Sequence, residues 1–280
     1  MDWSSFFLGN AAGFIKGPGK QFDDMLRSAA TQVTVGSITL LERDGNAGNV
    51  YQLMEDGTSV NALGLPNPGL YETLKHAAEM CAQAHEAKKT IRWSIAGFQP
   101  GEYSELAKRL APFGEIEANL GCPNVWSDSG QKPIAAFDLD VMEAVITEMR
   151  GALPRNCPFD LKLSPYSDPN LLKAVAKMLA FYKPRAIITA NTFPNGVANI
   201  DTPGGYGGIG GNAMHVIALG QVAQFVEALE DTEIKVVGVG GVDSGARLLS
   251  MRKVGASAVQ IGTAFGERGA RIFSDILQEV

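Results

Sequence analysis

Histidine and cysteine are scarce in this chain of 280 residues, three of each, and the scarcity closes off several chemistries. Cys81, Cys122 and Cys157 lie far apart and form no C-x-x-C pair. A disulfide framework is therefore not expected, and neither is a zinc or iron–sulfur ligand set; the thiols read as reduced. His76 and His85 fall on one helical stretch and His215 opens another, positions that suit surface or core roles. With no histidine or aspartate recurring near Cys122, a Cys-His hydrolase is poorly supported. Charge is also thin, 19% of residues with a net charge of -6, whereas a nucleic-acid surface is normally basic. No apolar run approaches the roughly 18 residues of a membrane span. The opening residues, MDWSSFFLGNAAGF, lack the charged start and long apolar stretch of a secretory leader. The expectation is a cytoplasmic protein with neither nucleic acid nor membrane as partner.

What the chain does have is apolar residues, 45% of the total, and 32 glycines, well above the usual ~7%. Short β-branched runs closed by Gly, Pro, Asn or Ser predict strands over 6–13, 31–38, 91–97, 115–122, 158–165, 186–192, 234–241 and 258–265. Helical periodicity fills most gaps, over Gln21–Ala29, Leu70–Ala87, Tyr103–Leu110, Leu139–Leu153, Asn170–Phe181, Val216–Leu229 and Ser244–Val254. Strand alternating with helix eight times is the pattern of a closed parallel barrel, a fold of roughly 250 residues. We therefore expect an α/β protein, one (β/α)8 TIM barrel spanning residues 1–280. Buried parallel strands should read as near-continuous apolar runs, and IKVVGVGG and AIITANT do. Two stretches break the rhythm: a loop or hairpin insertion after the second strand, Thr39 to Gly69, and an extended loop after the fourth, WSDSGQKPIAAF. Both leave the C-terminal end of a strand, the face where barrel enzymes place their chemistry.

Five features at that face carry chemistry. GVGGVDSG (Gly238–Gly245) and IGTAF (Ile261–Phe265) put small residues after strands seven and eight, where backbone amides can surround a phosphate. GGYGGIGG (Gly204–Gly211) formally contains G-x-G-x-x-G but lies more than ten residues past its strand. A dinucleotide fingerprint is thus disfavoured, and we read the segment as a loop covering the phosphate. Asn61, Asn119, Asn124 and Asn191 stand at strand ends, and an amide both donates and accepts; four converging on one point could grip a planar heterocycle. Lys162, within the strand DLKLSP, is costly to bury unless it is paired or meets a ligand. Cys122, in NLGCPN, is left as nucleophile, redox partner or proton acceptor by the residues alone.

The chain resembles the dihydroorotate dehydrogenase family. The likeness rests on NAAGF, RDGN, SVNALGLPNPG, SIAG, NLGCPN, LKLSP, ANT, GGYGGIGG, GVGGVDSG and VQIGTAF, in the family's order. The resemblance implies an FMN-dependent oxidoreductase that interconverts dihydroorotate and orotate, and, from the family's habit, a homodimer. It implies FMN contacts from Ala12, Gly13, Gly36, Ser37, Asn119, Lys162, Gly210, Gly211, Gly240, Gly241, Gly262 and Thr263. It assigns the pyrimidine to Asn61, Leu63, Gly64, Leu65, Asn119, Asn124, Asn191 and Thr192, and the general base to Cys122. Cysteine at that position resembles the family's cytosolic branches, whose membrane-bound branch carries serine. Soluble members usually have a lysine where this chain has Gly36; Lys16, in AAGFIK, resembles the lysine of the membrane-bound branch and would replace it. The related readings are a dihydropyrimidine-dehydrogenase-like flavin enzyme and a flavin-free phosphate-binding barrel. Dihydrouridine synthases share N-x-G-C-P but engage tRNA, against the acidic balance here.

Overall fold

The computed structural model describes residues 6–127 and 130–280. In chain order the strands are β1 (Phe7–Asn10), β2 (Gln32–Ile38), β3 (Tyr51–Leu53), β4 (Thr58–Asn61), β5 (Thr90–Ile95), β6 (Glu115–Asn119) and β7 (Trp126–Ser127). There follow β8 (Gly130–Gln131), β9 (Phe159–Lys162), β10 (Ala186–Ile188), β11 (Phe193–Val197), β12 (Tyr206–Gly211), β13 (Lys235–Val239) and β14 (Ala258–Ile261). The α-helices are α1 (Lys20–Arg27), α2 (Gly69–Glu86), α3 (Pro100–Leu110), α4 (Leu139–Ala152), α5 (Pro169–Tyr182), α6 (His215–Ala228), α7 (Gly245–Lys253), α8 (Thr263–Arg268) and α9 (Arg271–Gln278). Local signals set several of these boundaries. Asp138 accepts from the amides of Asp140 and Val141 to cap α4, and Asp168 accepts from Asn170 ahead of Pro169 to start α5. Each cap satisfies amides that the helix leaves without acceptors.

Eight parallel strands close in the order β1-β14-β13-β10-β9-β6-β5-β2. All eight predicted strands are present, but all except the second expected segment run past the strand's end. The ladder stops at Asn10, Ile95, Asn119, Lys162, Ile188, Val239 and Ile261, where 13, 97, 122, 165, 192, 241 and 265 were expected. The surplus residues leave the ladder to form the barrel's upper rim, and Thr263–Phe265 are already helix α8. The insertion after β2 contains the β3–β4 hairpin. GGYGGIGG is a strand, not the expected loop: β12 pairs antiparallel with β4 and β11 in a sheet ordered β11-β12-β4-β3. Neighbours crowd this strand so closely that side chains do not fit at its glycines. A Cβ at Gly211, where φ is +69°, would collide with the Gly57 carbonyl oxygen, and one at Gly208 with the Thr192 hydroxyl. The loop after Cys122 holds the short β7–β8 ladder; Asp128 and Ser129 of the expected insertion lie outside the described residues.

The main core lies between barrel and helices, where Trp93, Phe22, Phe159, Phe225 and Phe273 are fully buried. The barrel interior is divided. Around β10 and β13 it is apolar, with Ile188, Val237 and Val239 packed together. Around β5, β6 and β9 it is charged. These strands read TIRWSI, EIEAN and FDLK, alternating apolar residues toward the helices with Arg92, Glu117, Asp160 and Lys162 inside. The continuous apolar run expected of buried parallel strands therefore holds for only part of the barrel. Gln260 of β14 donates across the interior to Glu117 Oε2 at 2.7 Å, joining strands that are not neighbours.

Candidate active site

The barrel's C-terminal rim and the four-stranded sheet enclose a cavity of about 380 Å³, within the usual range for a small ligand. It is lined by every site residue expected from the sequence except Gly36. Gly36 stands just behind the wall, its carbonyl accepting from the Gly13 amide at 2.7 Å and from Lys16 Nζ at 3.3 Å. Lys16 thus brings its cation against the Gly36 backbone.

The four asparagines orient one another. Asn119 Nδ2 donates to Ser37 Oγ at 2.9 Å, Ser37 pairs with Ser94 at 2.9 Å, and Asn191 Nδ2 donates to Asn119 Oδ1 at 3.0 Å. On the other side Asn124 Nδ2 donates to Asn61 Oδ1 at 2.8 Å, and Asn61 Nδ2 reaches the Gly208 carbonyl at 3.3 Å. Fixed amides present a defined set of donors and acceptors without having to reorganise around a ligand. Asn46 anchors this second group by donating to the carbonyls of Ala62 and Asn124. It was not singled out from the sequence, where one asparagine in a turn-rich insertion carries no distinguishing signal.

Cys122 sits among cations. Burial pushes its thiol up, while the Asn124 amide, Lys162, Lys16 and Lys132 pull it down. Lys132 is another residue that sequence reading missed. It donates to the Gly97 carbonyl at 2.9 Å and lies over the Phe98 ring at 4.5 Å, so the loop after Cys122 is tied to the one after β5. Burial lowers Lys16 to about 8, with the thiol opposing that shift and Lys162 adding to it.

Lys162 is 4% exposed and lines the cavity with no hydrogen-bond acceptor among the described residues. Burial lowers its pKa; Glu117 and Cys122 counter this, and Arg92 reinforces it. A buried ammonium opening into a cavity without a partner calls for an acceptor-bearing ligand. At the far end, Gly240 (φ +130°) and Gly241 (φ +64°) turn where only glycine is comfortable, and α8 begins at Thr263. A Cβ on Gly262 would meet nothing nearer than 3.7 Å, so this backbone borders open cavity. Gly210 leaves room for the 2.9 Å contact of Ser59 with Thr263. Tyr51 and Glu267 close the rim with a 2.9 Å hydrogen bond; neither was expected from the sequence. Among the described residues no helix is long and apolar enough to cross a membrane, and no group of three metal-binding side chains occurs.

Comparison with known proteins agrees with this geometry. The family model for dihydroorotate dehydrogenase matches residues 6–280. Dihydroorotate dehydrogenase (fumarate) of Saccharomyces paradoxus is 31% identical, covering 97% of this chain and 87% of that protein. The enzyme of the same name from Trypanosoma cruzi is 32% identical with the same coverage. A probable dihydroorotate dehydrogenase A (fumarate) of Streptococcus pneumoniae is 30% identical over 98% of this chain and 88% of its own length. In fold, the chain is similar to a crystal structure of DHODH in complex with ferulenol from Eimeria tenella. The TM-score is 0.83 at 19% identity, covering 97% of this chain and 79% of that one. From the barrel, its rim and a match along nearly its whole length, this chain belongs to the dihydroorotate dehydrogenase family of flavoprotein oxidoreductases.

Proposed function

We propose that the chain binds FMN and oxidises dihydroorotate to orotate, with fumarate, the acceptor named for its relatives, taking up the electrons. The observation that carries this reading is the meeting of Cys122, the unpartnered Lys162 cation and four mutually oriented asparagines in one cavity. The residues fit the cofactor: Lys162 would stabilise the negative charge its ring gathers on reduction, and Gly240, Gly241, Gly262, Thr263, Gly210 and Gly211 would hold its phosphate. Bound FMN supplies the two-electron acceptor for a hydride leaving the substrate.

The chain's own task is the proton and the charge. Oxidation breaks two neighbouring C–H bonds and forms a C=C bond, so one hydrogen departs as hydride and the other as a proton. Cys122 Sγ takes that proton as thiolate, the form needed of a general base. Lys162 balances negative charge gathered beside it, and the asparagines hold the ring so that the acidic C–H faces the sulfur. Loop residues Leu63, Gly64 and Leu65, lining the same cavity, exclude water.

Anaerobic addition of dihydroorotate to the yellow protein is expected to bleach it promptly, with fumarate restoring the colour. Persistent colour with flavin bound would refute the substrate assignment. Lys16→Ala is expected to slow flavin reduction by about 10-fold or more, since it removes a cation that favours the thiolate. The sign follows from the charges. Lys16 and the Cys122 thiolate each favour the other's charged form, so without the lysine the thiol should titrate at higher pH. The plateau of the reduction rate in Lys16→Ala is therefore expected to move alkaline; an unmoved profile in stopped-flow measurements would show that Lys16 does not act on Cys122.

A further inference from the structure

Beneath the cavity floor the barrel holds charges that substrate and cofactor binding do not call upon. Register places Glu117 opposite Asp160 and Asn119 opposite Lys162 on β6 and β9. Glu117 and Asp160 therefore share one interior layer, directly under the layer of Lys162 and Asn119. Arg92 of β5 pairs with Asp160 at 2.8 Å and with Glu115 at 3.2 Å. Arg185 takes the same two carboxylates, reaching Asp160 at 2.6 Å and also pairing with Glu115. Two arginines and two carboxylates thus neutralise each other at the lower end. The remaining charges in this column are Glu117, which also lies within ion-pair range of Arg92 at 3.6 Å, and Lys162.

Glu117 is fully buried, and its contacts are unequal. Oε2 accepts from Gln260 Nε2 at 2.7 Å and lies 3.6 Å from Arg92 Nη1, while Oε1 has no hydrogen-bond partner among the described residues. Arg92 approaches Asp160 more closely than it does Glu117, and the neutral amide of Gln260 supplies orientation without charge. Lys162, one layer higher, has no partner of its own. A buried carboxylate and a buried ammonium are each costly alone and tolerable in each other's field.

We infer that Glu117 is the internal counter-charge of Lys162, a positioning residue that keeps the ammonium charged and available to the cofactor above it. The inference rests on the reading of this cavity as a flavin site. The groups acting on Lys162 are Glu117 on β6, Cys122 on the loop above, Arg92 on β5 and, across the cavity, Lys16 after β1. Glu117 and Cys122 hold its charge in place; burial, Arg92 and Lys16 work against it. Of the two supporting groups, only Glu117 is independent of the thiol's own protonation. Glu117 would therefore act before any substrate enters.

The test is the midpoint potential of the bound flavin across pH, measured on four proteins: wild type, Glu117→Gln, and each combined with Lys162→Met. The difference between a protein and its Lys162→Met counterpart reports the charge on the lysine. In wild type that difference is expected to persist into alkaline pH. In Glu117→Gln it should collapse at a pH lower by about one unit or more, a tenfold change in the ammonium's acidity. Glu117→Asp, which keeps the charge, should restore the wild-type profile. Coincident profiles for wild type and Glu117→Gln overturn the inference, as does an aspartate variant that behaves like the glutamine one, because packing alone would then explain both. Gln260→Met, which removes the hydrogen bond to Oε2 but spares the carboxylate, should move the collapse the same way by less. Where Glu117→Gln fails to fold, Glu117→Met, which removes the charge at similar volume, decides by the same criterion. Wild-type protein that purifies without flavin defeats the functional reading itself; flavin-bound protein with coincident curves defeats only the role of Glu117.

Discussion

Replacing Cys122 with alanine is expected to slow flavin reduction by dihydroorotate by roughly 10²–10⁴-fold, the usual contribution of a positioned general base, while FMN stays bound. The side chain reaches the cavity from the loop after β6, and its removal disturbs none of the hydrogen bonds that hold Asn119 and Asn191. Single-turnover stopped-flow measures the rate, and the visible spectrum of the purified variant measures flavin content. Near-normal reduction would remove the sulfur from its role as base. The pH dependence has a definite sign. Only the thiolate accepts a proton, so the wild-type rate should climb with pH and level off once the thiol has ionised. Burial pushes that ionisation above the ordinary thiol, with Lys162, Lys16 and Lys132 drawing it back. In Cys122→Ala this climb should disappear.

The second large effect is structural. Gly211→Ala is expected to lower both flavin occupancy and melting temperature. At φ +69° and ψ -145° the backbone lies in a nearly glycine-only region that costs another residue roughly 1–3 kcal/mol, and the added Cβ would also overlap the Gly57 carbonyl oxygen. Relief requires β12 to separate from β4, which opens the end of the cavity where Gly210, Gly211 and Thr263 meet. For a chain of this size each kcal/mol corresponds to roughly 2–4 °C in melting temperature. Differential scanning calorimetry and flavin release on denaturation measure the two losses. A variant with wild-type stability and full flavin would show that the sheet edge yields without consequence. Gly101→Ala is the matched control, on α3 with nothing within 4 Å of the added carbon.

The sequence determined much of this protein without help. Strands alternating with helices specified the barrel, because each such element buries an apolar face only by packing against the next. NLGCPN, DLKLSP and GVGGVDSG placed Cys122, Lys162 and the glycine rim at strand ends, and a barrel brings strand ends together at one mouth. The clustering of residues distant in sequence was therefore implied by the topology. Lys16 was legible as a candidate beside Gly36, and the fold brings its Nζ to the Gly36 carbonyl at 3.3 Å.

Other features depended on contacts that no local pattern encodes. The ladders end earlier than apolar runs suggest, since glycine and asparagine leave the sheet wherever the cavity wall needs them. GGYGGIGG carries almost no side-chain information, and the identity of its last six residues as strand β12 came from pairing with β4 across roughly 150 residues of sequence. EIEAN and FDLK have the alternation of half-exposed strands. Glu117, Asp160 and Lys162 are buried where opposite charges from β5, β6 and β9, with Arg185 beyond, meet inside the barrel. A carboxylate's sign is written in the sequence, but whether it can be buried depends on its partner. Only tertiary structure brought Glu117 to Gln260 and set it beneath Lys162, because the energy of a buried charge is fixed by what stands within a few ångströms of it.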